Sequence, residues 1–507
     1  MAAEIELKLE LAPKAHAAFR RSPALAGSGR TTRLQATYFD TPDFELRARE
    51  MALRLRREGR RWAQTLKAGR SGAGGLHARE EWEFERPNAT LDTGLLADTP
   101  LASEPALVRK LGEIFKVDVR RTTWEVEVSP GNRVEVALDR GEVRHGERTE
   151  AVSEVEIESI AGDPLAVFEL AERFVGPDAS TEREPAALRP SGVTKAQRGY
   201  RLARREPLAP VHASPAPLEP GMSPTQAARA IAAAALEQLQ ANEAGVLAGE
   251  DPEYLHQFRV ALRRLRSALA VCRRAGGVVD EPLREELRWI ARLTGPARDW
   301  DVLVAETLPT LLAAYRDGRA ARTVRTRAAA RQRRANAQLH AAIASARYVR
   351  MVLALARWLA QPAPEAEPGA AEPESLTDFA LRLVAKRHKR LAAHAERLSA
   401  LTPPERHALR LDAKRLRYAL EGLAPLFRRK RVGAHLDVLS DIQDDLGRAN
   451  DAAVATRLLA ELDPPAAFAQ FARGWFEALA QASAAGLERH AGRLRSVRGL
   501  KVRPPRR

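Results

Sequence analysis

Alternation is what most limits how the first 205 residues can fold. Seven short segments, EIELKLEL, MALRLRRE, RWAQTLKA, REEWEFE, TTWEVEV, RVEVALD and SEVEIES, largely alternate apolar with charged or polar residues. A strand points successive side chains to opposite faces, so each segment reads as a strand with one apolar and one polar face. Between them GRSGAGG reads as a loop and residues 164–175 as a helix. The pattern ends near residue 205. Residues 206–222, EPLAPVHASPAPLEPGM, carry five prolines and read as an extended linker. The expectation is that a fragment ending near residue 205 folds by itself.

Beyond the linker the period becomes helical. Ser223-Pro224-Thr225-Gln226 offers an N-cap, a proline at the first helical position and a capping-box glutamine, and Thr402-Pro403-Pro404-Glu405 repeats the device. Residues 362–373, PAPEAEPGAAEP, read as a break between two helical halves, and the last residues, VRPPRR, as a disordered basic tail. The halves carry an internal repeat. His256, Arg259, Arg263 and Arg266 recur as His407, Arg410, Lys414 and Arg417, at offsets 0, 3, 7 and 10, which share one helix face. Gly295-Pro-Ala-Arg298-Asp299 recurs as Gly447-Arg-Ala-Asn450-Asp451, with 43 residues from His to Asp in one half and 44 in the other. Agreement at two places indicates a duplicated helical unit.

Charge follows the same division. Residues 1–205 hold 34 Lys and Arg against 33 Asp and Glu, whereas the remainder holds 48 against 33. A positive field of this kind attracts nucleic acid, anionic membrane or polyphosphate without choosing among them. Aromatic residues are 5% of the chain, few for stacking bases, so nucleic acid is not the expected partner. No run approaches the ~18 apolar residues of a membrane span, so no membrane insertion is expected. The opening MAAEIELKLE is charged from residue 4, unlike a secretory signal, and the single Cys272 excludes an internal disulfide. These features suit a reducing cytoplasm.

On the strands, charged residues occupy one face repeatedly. Glu4, Glu6 and Lys8 share a face, as do Arg54 and Arg56, Thr65 and Lys67, Arg79, Glu81 and Glu83, and Glu154, Glu156 and Glu158. An ordinary amphipathic strand with its charges in water gives such a row once. Its recurrence suits a barrel with helices outside and charges inside, where Arg and Lys would hold phosphate oxygens and clustered carboxylates a hard divalent cation. Glu4-x-Glu6-x-Lys8 resembles the signature of the CYTH family, the triphosphate tunnel metalloenzymes. The likeness continues, in the expected order over residues 1–203, through Tyr38-Phe39-Asp40-Thr41-Pro42, Leu53-Arg54-Leu55-Arg56, Thr65-Leu66-Lys67, Gly75-Leu76-His77 with Arg79-x-Glu81, Arg121, Ala137-Leu138-Asp139-x-Gly141, Glu154-x-Glu156 and Lys195-Ala-x-Arg198-Gly199-Tyr200. Thr194 stands where the family commonly has Ser.

The resemblance implies an eight-stranded antiparallel tunnel that binds triphosphate compounds. It implies Glu4, Glu6, Glu154 and Glu156 as ligands of Mg²⁺ or Mn²⁺, and Glu4, Glu6 and Lys8 as the catalytic signature. Arg54, Arg56, Lys67, Arg79, Arg121 and Lys195 would form the phosphate clamp with Lys8. Residues 223–500 resemble the CHAD domain, a helical domain named for its conserved histidines. That likeness implies two pseudo-symmetric bundles, about 223–361 and 374–500, whose basic surface binds inorganic polyphosphate through His256, Arg259, Arg263, Arg266, His407, Arg410, Lys414 and Arg417. The whole reads as a multidomain α+β chain: tunnel domain 1–203, linker 204–222, helical domain 223–500 and basic tail 501–507.

The expected activity is hydrolysis of inorganic triphosphate by a cytoplasmic enzyme, with an association with polyphosphate granules. Adenylyl cyclase or an organic triphosphatase is the enzymatic alternative. A non-catalytic polyphosphate-binding or targeting protein is the other, disfavoured because a pure anion binder has no need of four acids beside seven cations.

Overall fold

The computed structural model describes residues 4–25, 27–69, 73–176, 187–219, 221–361, 374–395, 402–496 and 500. The expected break at 362–373 and the basic tail lie outside the described residues. Strands β1 (Glu4–Leu11), β2 (Arg30–Asp40), β3 (Met51–Glu58), β4 (Arg61–Ala68), β5 (Leu76–Arg86), β6 (Gly112–Ser129), β7 (Asn132–His145) and β8 (Arg148–Ala161) pair antiparallel in the order β5-β4-β3-β2-β6-β7-β8-β1. β5 also pairs with β1, Ile5 opposite Ala78, so eight strands close on themselves. A short ninth strand, β9 (Leu188–Pro190), joins β1 where β5 leaves it, with Leu9 opposite Pro190.

Closure turns the alternation inside out. Apolar rows point outward: Leu7, Leu9 and Leu11 of β1, Val134 and Val136 of β7, and Val155 and Ile157 of β8 share a buried cluster with helix α1 (Ala166–Val175). Leu53, Leu55 and Leu66 are covered by Leu96 and Leu101 from the 3₁₀ turns that follow β5. The charged rows are left to face the lumen. Burying apolar area of this size, at about 25 cal/mol per Å², is what offsets enclosing charge in a barrel.

β2 and the first part of β6 depart from this scheme. Leu34, Ala36, Tyr38, Val117 and Val119 line the cavity and pack on Ala196 and Tyr200 of helix α2 (Lys195–Arg204). Thr194 caps α2 by accepting the Gln197 N–H, while Gln197 Oε1 accepts the Thr194 N–H at 2.8 Å. Helix and sheet meet so closely that a Cβ on Gly199 would lie 2.1 Å from the Phe115 ring.

Two compact units result, and neither is one stretch of sequence. The tunnel unit comprises residues 1–209 and 344–361, the helical unit 210–343 and 362–507. The helical unit holds α3 (Pro224–Ala248), α4 (Pro252–Arg274), α5 (Glu281–Val302), α6 (Gly318–Ala344), α8 (Leu376–Ala395), α9 (Pro403–Leu423), α10 (Arg429–Ala460) and α11 (Ala466–Ser496). Helix α7 (Ala346–Ala360), which the sequence reading assigned to the first helical half, packs in the tunnel unit, with Val349, Leu353 and Ala356 buried in the β1–α1 cluster. A fragment ending near residue 205 lacks this helix.

The proline-rich segment is also less free than its composition suggests. Asn242, fully buried on α3, accepts the Val211 N–H and donates to the Val211 carbonyl, and Arg264 of α4 donates to the Ser214 carbonyl. Ser223 and Gln226 form the expected capping box at the start of α3.

Gly199→Ala should force the Phe115 ring and α2 apart. The expected cost is about 1–3 kcal/mol, the usual range for overpacking, seen as a lower denaturation midpoint with an unchanged m-value.

Candidate active site and basic helical cluster

The lumen is a cavity of about 630 Å³. Its densest charge lies where β1, β6, β7, β8 and the start of α2 converge. Lys8 Nζ is 2.6 Å from Glu156 Oε1 and 3.3 Å from both Glu154 Oε1 and Glu6 Oε1. Lys195 Nζ is 2.6 Å from Asp139 Oδ2 and 2.8 Å from Glu156 Oε1, and it also donates to Glu154. Arg121 makes a two-pronged contact with Asp139, at 2.8 and 2.7 Å, and reaches Glu156. Lys195 opens a helix, where the macrodipole disfavours a cation. The three carboxylates facing it override that preference.

Burial opposes every charge here, and the partners decide the outcome. Around Lys8 the carboxylates of Glu154, Glu156 and Glu6 outweigh burial and hold its pKa well above the ordinary lysine value. Lys195 is likewise raised, by Asp139, Glu154 and Glu156. Burial is also outweighed at Glu156, where Lys195, Lys8 and Arg121 hold the carboxyl well below its usual range. Glu6 goes the other way, since burial, reinforced by Glu156, pushes its carboxyl up against the pull of three lysines.

Further along the lumen the cations pair with β5. Lys67 Nζ lies 3.0 Å from Glu81 Oε2 and Arg54 Nη2 3.8 Å from Glu81 Oε1, while Arg56 Nη2 is 3.4 Å from Glu83 Oε2. Glu4 and Arg79 stand opposite each other in the β1–β5 register, and their side chains lie outside the described residues. Glu158 and His77 also line the cavity.

Asp139 is the residue to which sequence reasoning gave no role. Its oxygens lie within 4.8 Å of ligand atoms on Glu154 and Glu156, the one group among the described residues with the spacing of a metal site. The signal was its place in the Ala137-Leu138-Asp139-x-Gly141 motif. Glu154 Oε2 is buried and accepts no hydrogen bond from a described residue. A buried carboxylate oxygen in that state, beside two further carboxylates, fits a hard cation that takes oxygen ligands.

In the helical unit α4 and α9 pack together. Arg259, Arg263, Arg410 and Lys414 act on one another electrostatically, with Asp299 of α5 and Asp451 of α10 as counter-charges. Burial and three neighbouring arginines lower the Lys414 pKa to about 7, and burial with Arg263 lowers Arg259 to about 10. His256 is lowered by burial and faces Arg298, Arg263 and Arg259. Arg266 is exposed and feels Arg288, Arg263 and Arg415. Its repeat partner Arg417 is instead bound to Glu421, 2.7 Å away, and to Gln443. The His407 side chain lies outside the described residues. Among the described residues no helix is long and apolar enough to cross a membrane.

Residues 2–200 match the CYTH domain and residues 230–460 the CHAD domain, so the chain belongs to the proteins in which a CYTH domain is followed by a CHAD domain. The inorganic triphosphatase of Haemophilus influenzae is 32% identical over 213 residues, which cover 41% of this chain and 56% of that protein. The chain thus spans about half the length of that relative. The crystal structure of the CHAD domain from the plant Ricinus communis is 34% identical, with a TM-score of 0.50, and covers 58% of this chain and 99% of that one.

Lys195→Met should leave Asp139, Glu154 and Glu156 with too little positive charge. The expected loss is about 3–5 kcal/mol, as for breaking a buried ion pair. Glu156 has a depressed folded pKa, so its contribution is present above the unfolded carboxylate value and fades as pH falls through the folded one. The deficit of the variant should therefore be largest at neutral pH and shrink in acid, as urea unfolding across pH would reveal.

Proposed function

We propose that the tunnel hydrolyses inorganic triphosphate with the help of Mg²⁺ or Mn²⁺, and that the basic helical cluster binds inorganic polyphosphate. The observation that carries the first part is the meeting of Lys8, Lys195 and Arg121 with Asp139, Glu154 and Glu156 at the wall of the tunnel cavity. The likeness to an inorganic triphosphatase over the tunnel region supports it.

Asp139, Glu154 and Glu156, with Glu6 on the neighbouring strand β1 and Glu4 two residues before it in sequence, are the residues to hold the metal. When bound, it would neutralise phosphate charge and lower the pKa of a coordinated water. The protein's own groups do the rest. Arg54, Arg56, Lys67 and Arg79 orient the phosphate chain along the lumen, and Lys8, Lys195 and Arg121 stand fixed where charge develops on the transferred and leaving phosphates. These cations are paired with carboxylates, so phosphate oxygens take their place by exchange with those partners.

In chelator-treated protein, Mn²⁺ should raise the melting temperature, by about 2.7 kcal/mol of stabilisation at a hundredfold excess over Kd. Glu154→Gln should blunt that rise, and Glu6→Gln should nearly abolish triphosphate hydrolysis while leaving the fold intact. Turnover that persists in excess chelator, or that is greater on ATP or thiamine triphosphate, would overturn this reading.

For the helical cluster, the crowding of Arg259, Arg263, Arg410 and Lys414 is the supporting observation. Like charges held together are relieved by a polyanion, through many screened contacts. With a pKa of about 7, Lys414 sheds its proton as pH rises through neutrality. Polyphosphate affinity should therefore fall between pH 6 and pH 8, and also fall with salt. Lys414→Met should flatten the pH slope, and Arg263→Ala with Lys414→Ala should weaken long-chain binding while sparing hydrolysis. Titrations at both pH values check this. Tighter binding of RNA than of polyphosphate of equal charge would favour a nucleic-acid partner.

A further inference from the structure

Helix α7 lies inside the stretch that matches the CHAD domain, yet it is built into the tunnel unit. Its contacts fall on three pieces: α1, the turn Ala73–Gly75 and strand β9. Toward α1 and its C-terminal loop, Arg350 donates to the Gly176 carbonyl and Arg357 lies 3.8 Å from Glu169. Toward β9, the guanidinium of Arg189 sits 5.9 Å from the centroid of the buried Tyr348 ring. The Ala73–Gly75 turn is buried.

Both the turn and β9 touch the backbone of the charged site. A Cβ on Gly75 would lie 2.6 Å from the Lys8 carbonyl and 3.2 Å from the Ser191 amide, so the turn is pressed against β1 at Lys8 itself. The Ser191 N–H donates to that same Lys8 carbonyl at 3.0 Å. Four residues later the chain reaches Lys195, through the Thr194 cap. The pieces that α7 braces therefore abut the backbone of Lys8 and lead into Lys195.

We infer that α7 is a positioning element of the tunnel: by holding the Ala73–Gly75 turn and β9 against β1, it fixes the backbone on which Lys8 and Lys195 stand. The tunnel is then completed by a helix delivered from the CHAD part of the chain. Tyr348 and Leu353 act through Lys8 and Lys195, not on substrate. The inference rests on the reading of the tunnel as a triphosphate site.

The test uses the full chain. Leu353→Ala removes apolar contact from the α7 face, Leu353→Met nearly conserves its volume, and Arg189→Gln removes the cation over Tyr348 while leaving the apolar packing. Triphosphate hydrolysis is measured at a temperature where circular dichroism shows all variants folded. Expected is a rise of about tenfold in KM for Leu353→Ala and a smaller rise for Arg189→Gln. Leu353→Met should restore the wild-type value, and polyphosphate binding by the helical unit should be unchanged throughout. A melting temperature that falls with KM unmoved would reduce α7 to packing and overturn the inference. Wild-type protein that neither binds nor hydrolyses triphosphate would instead remove the reading on which it rests.

Discussion

Everything in the tunnel unit is arranged around one electrostatic requirement: three cations and three carboxylates must share a space largely closed to water. Lys8, Lys195 and Arg121 would each be expensive to bury alone, and so would Asp139, Glu154 and Glu156. Together they satisfy one another, and the sheet closes around them. Closure also removes sheet edges, and it lets outward apolar rows gather the helices that make the fold stable. The same pairing leaves these cations with their charge already compensated. On the proposed reading, a triphosphate would have to exchange with carboxylates for the lysines, and a divalent cation would take the released oxygens. Substrate and metal binding would then favour each other.

Much of this was legible in the chain, for reasons that can be traced to particular residues. On β1, β3 and β8 the inward row is charged and the outward row apolar, so alternation gives strand, face and chemistry at once. β2 was not legible in this way. Its inward Leu34, Ala36 and Tyr38 pack on α2, so the polarity of the pattern is lost although the strand is regular. Asp139 sits between Leu138 and Arg140 and looks like any strand acid until Lys195 is brought to it across 56 residues of sequence. An amphipathic helix announces that it has an apolar face but not which surface will cover it. That is why α7 reads as one more member of a helical half. The proline-rich segment has the same ambiguity, because its partners Asn242 and Arg264 are remote in sequence.

The duplicated helices show how far a repeat predicts. Equal spacing brought Arg259, Arg263, Arg410 and Lys414 into mutual influence, with Asp299 and Asp451 as counter-charges from the second repeated motif. At the last rung the symmetry ends, because Glu421 claims Arg417 whereas Arg266 lies among other arginines. Duplication fixes where a side chain stands on its helix, and the neighbours acquired since then decide what it does.

The discontinuity of the tunnel unit has a consequence for biosynthesis. The strands and α1 leave the ribosome first, but α7, which packs on α1 and β9, follows about 140 residues after α2 ends. At roughly 5–20 residues per second, that delay is on the order of 10 s. During it, the surfaces of α1, β9 and the Ala73–Gly75 turn that α7 covers stand exposed while α3 to α6 are being made. A nascent chain in that condition is a natural client for a chaperone that shields apolar surface, and slowing translation between residues 205 and 346 would lengthen its exposure.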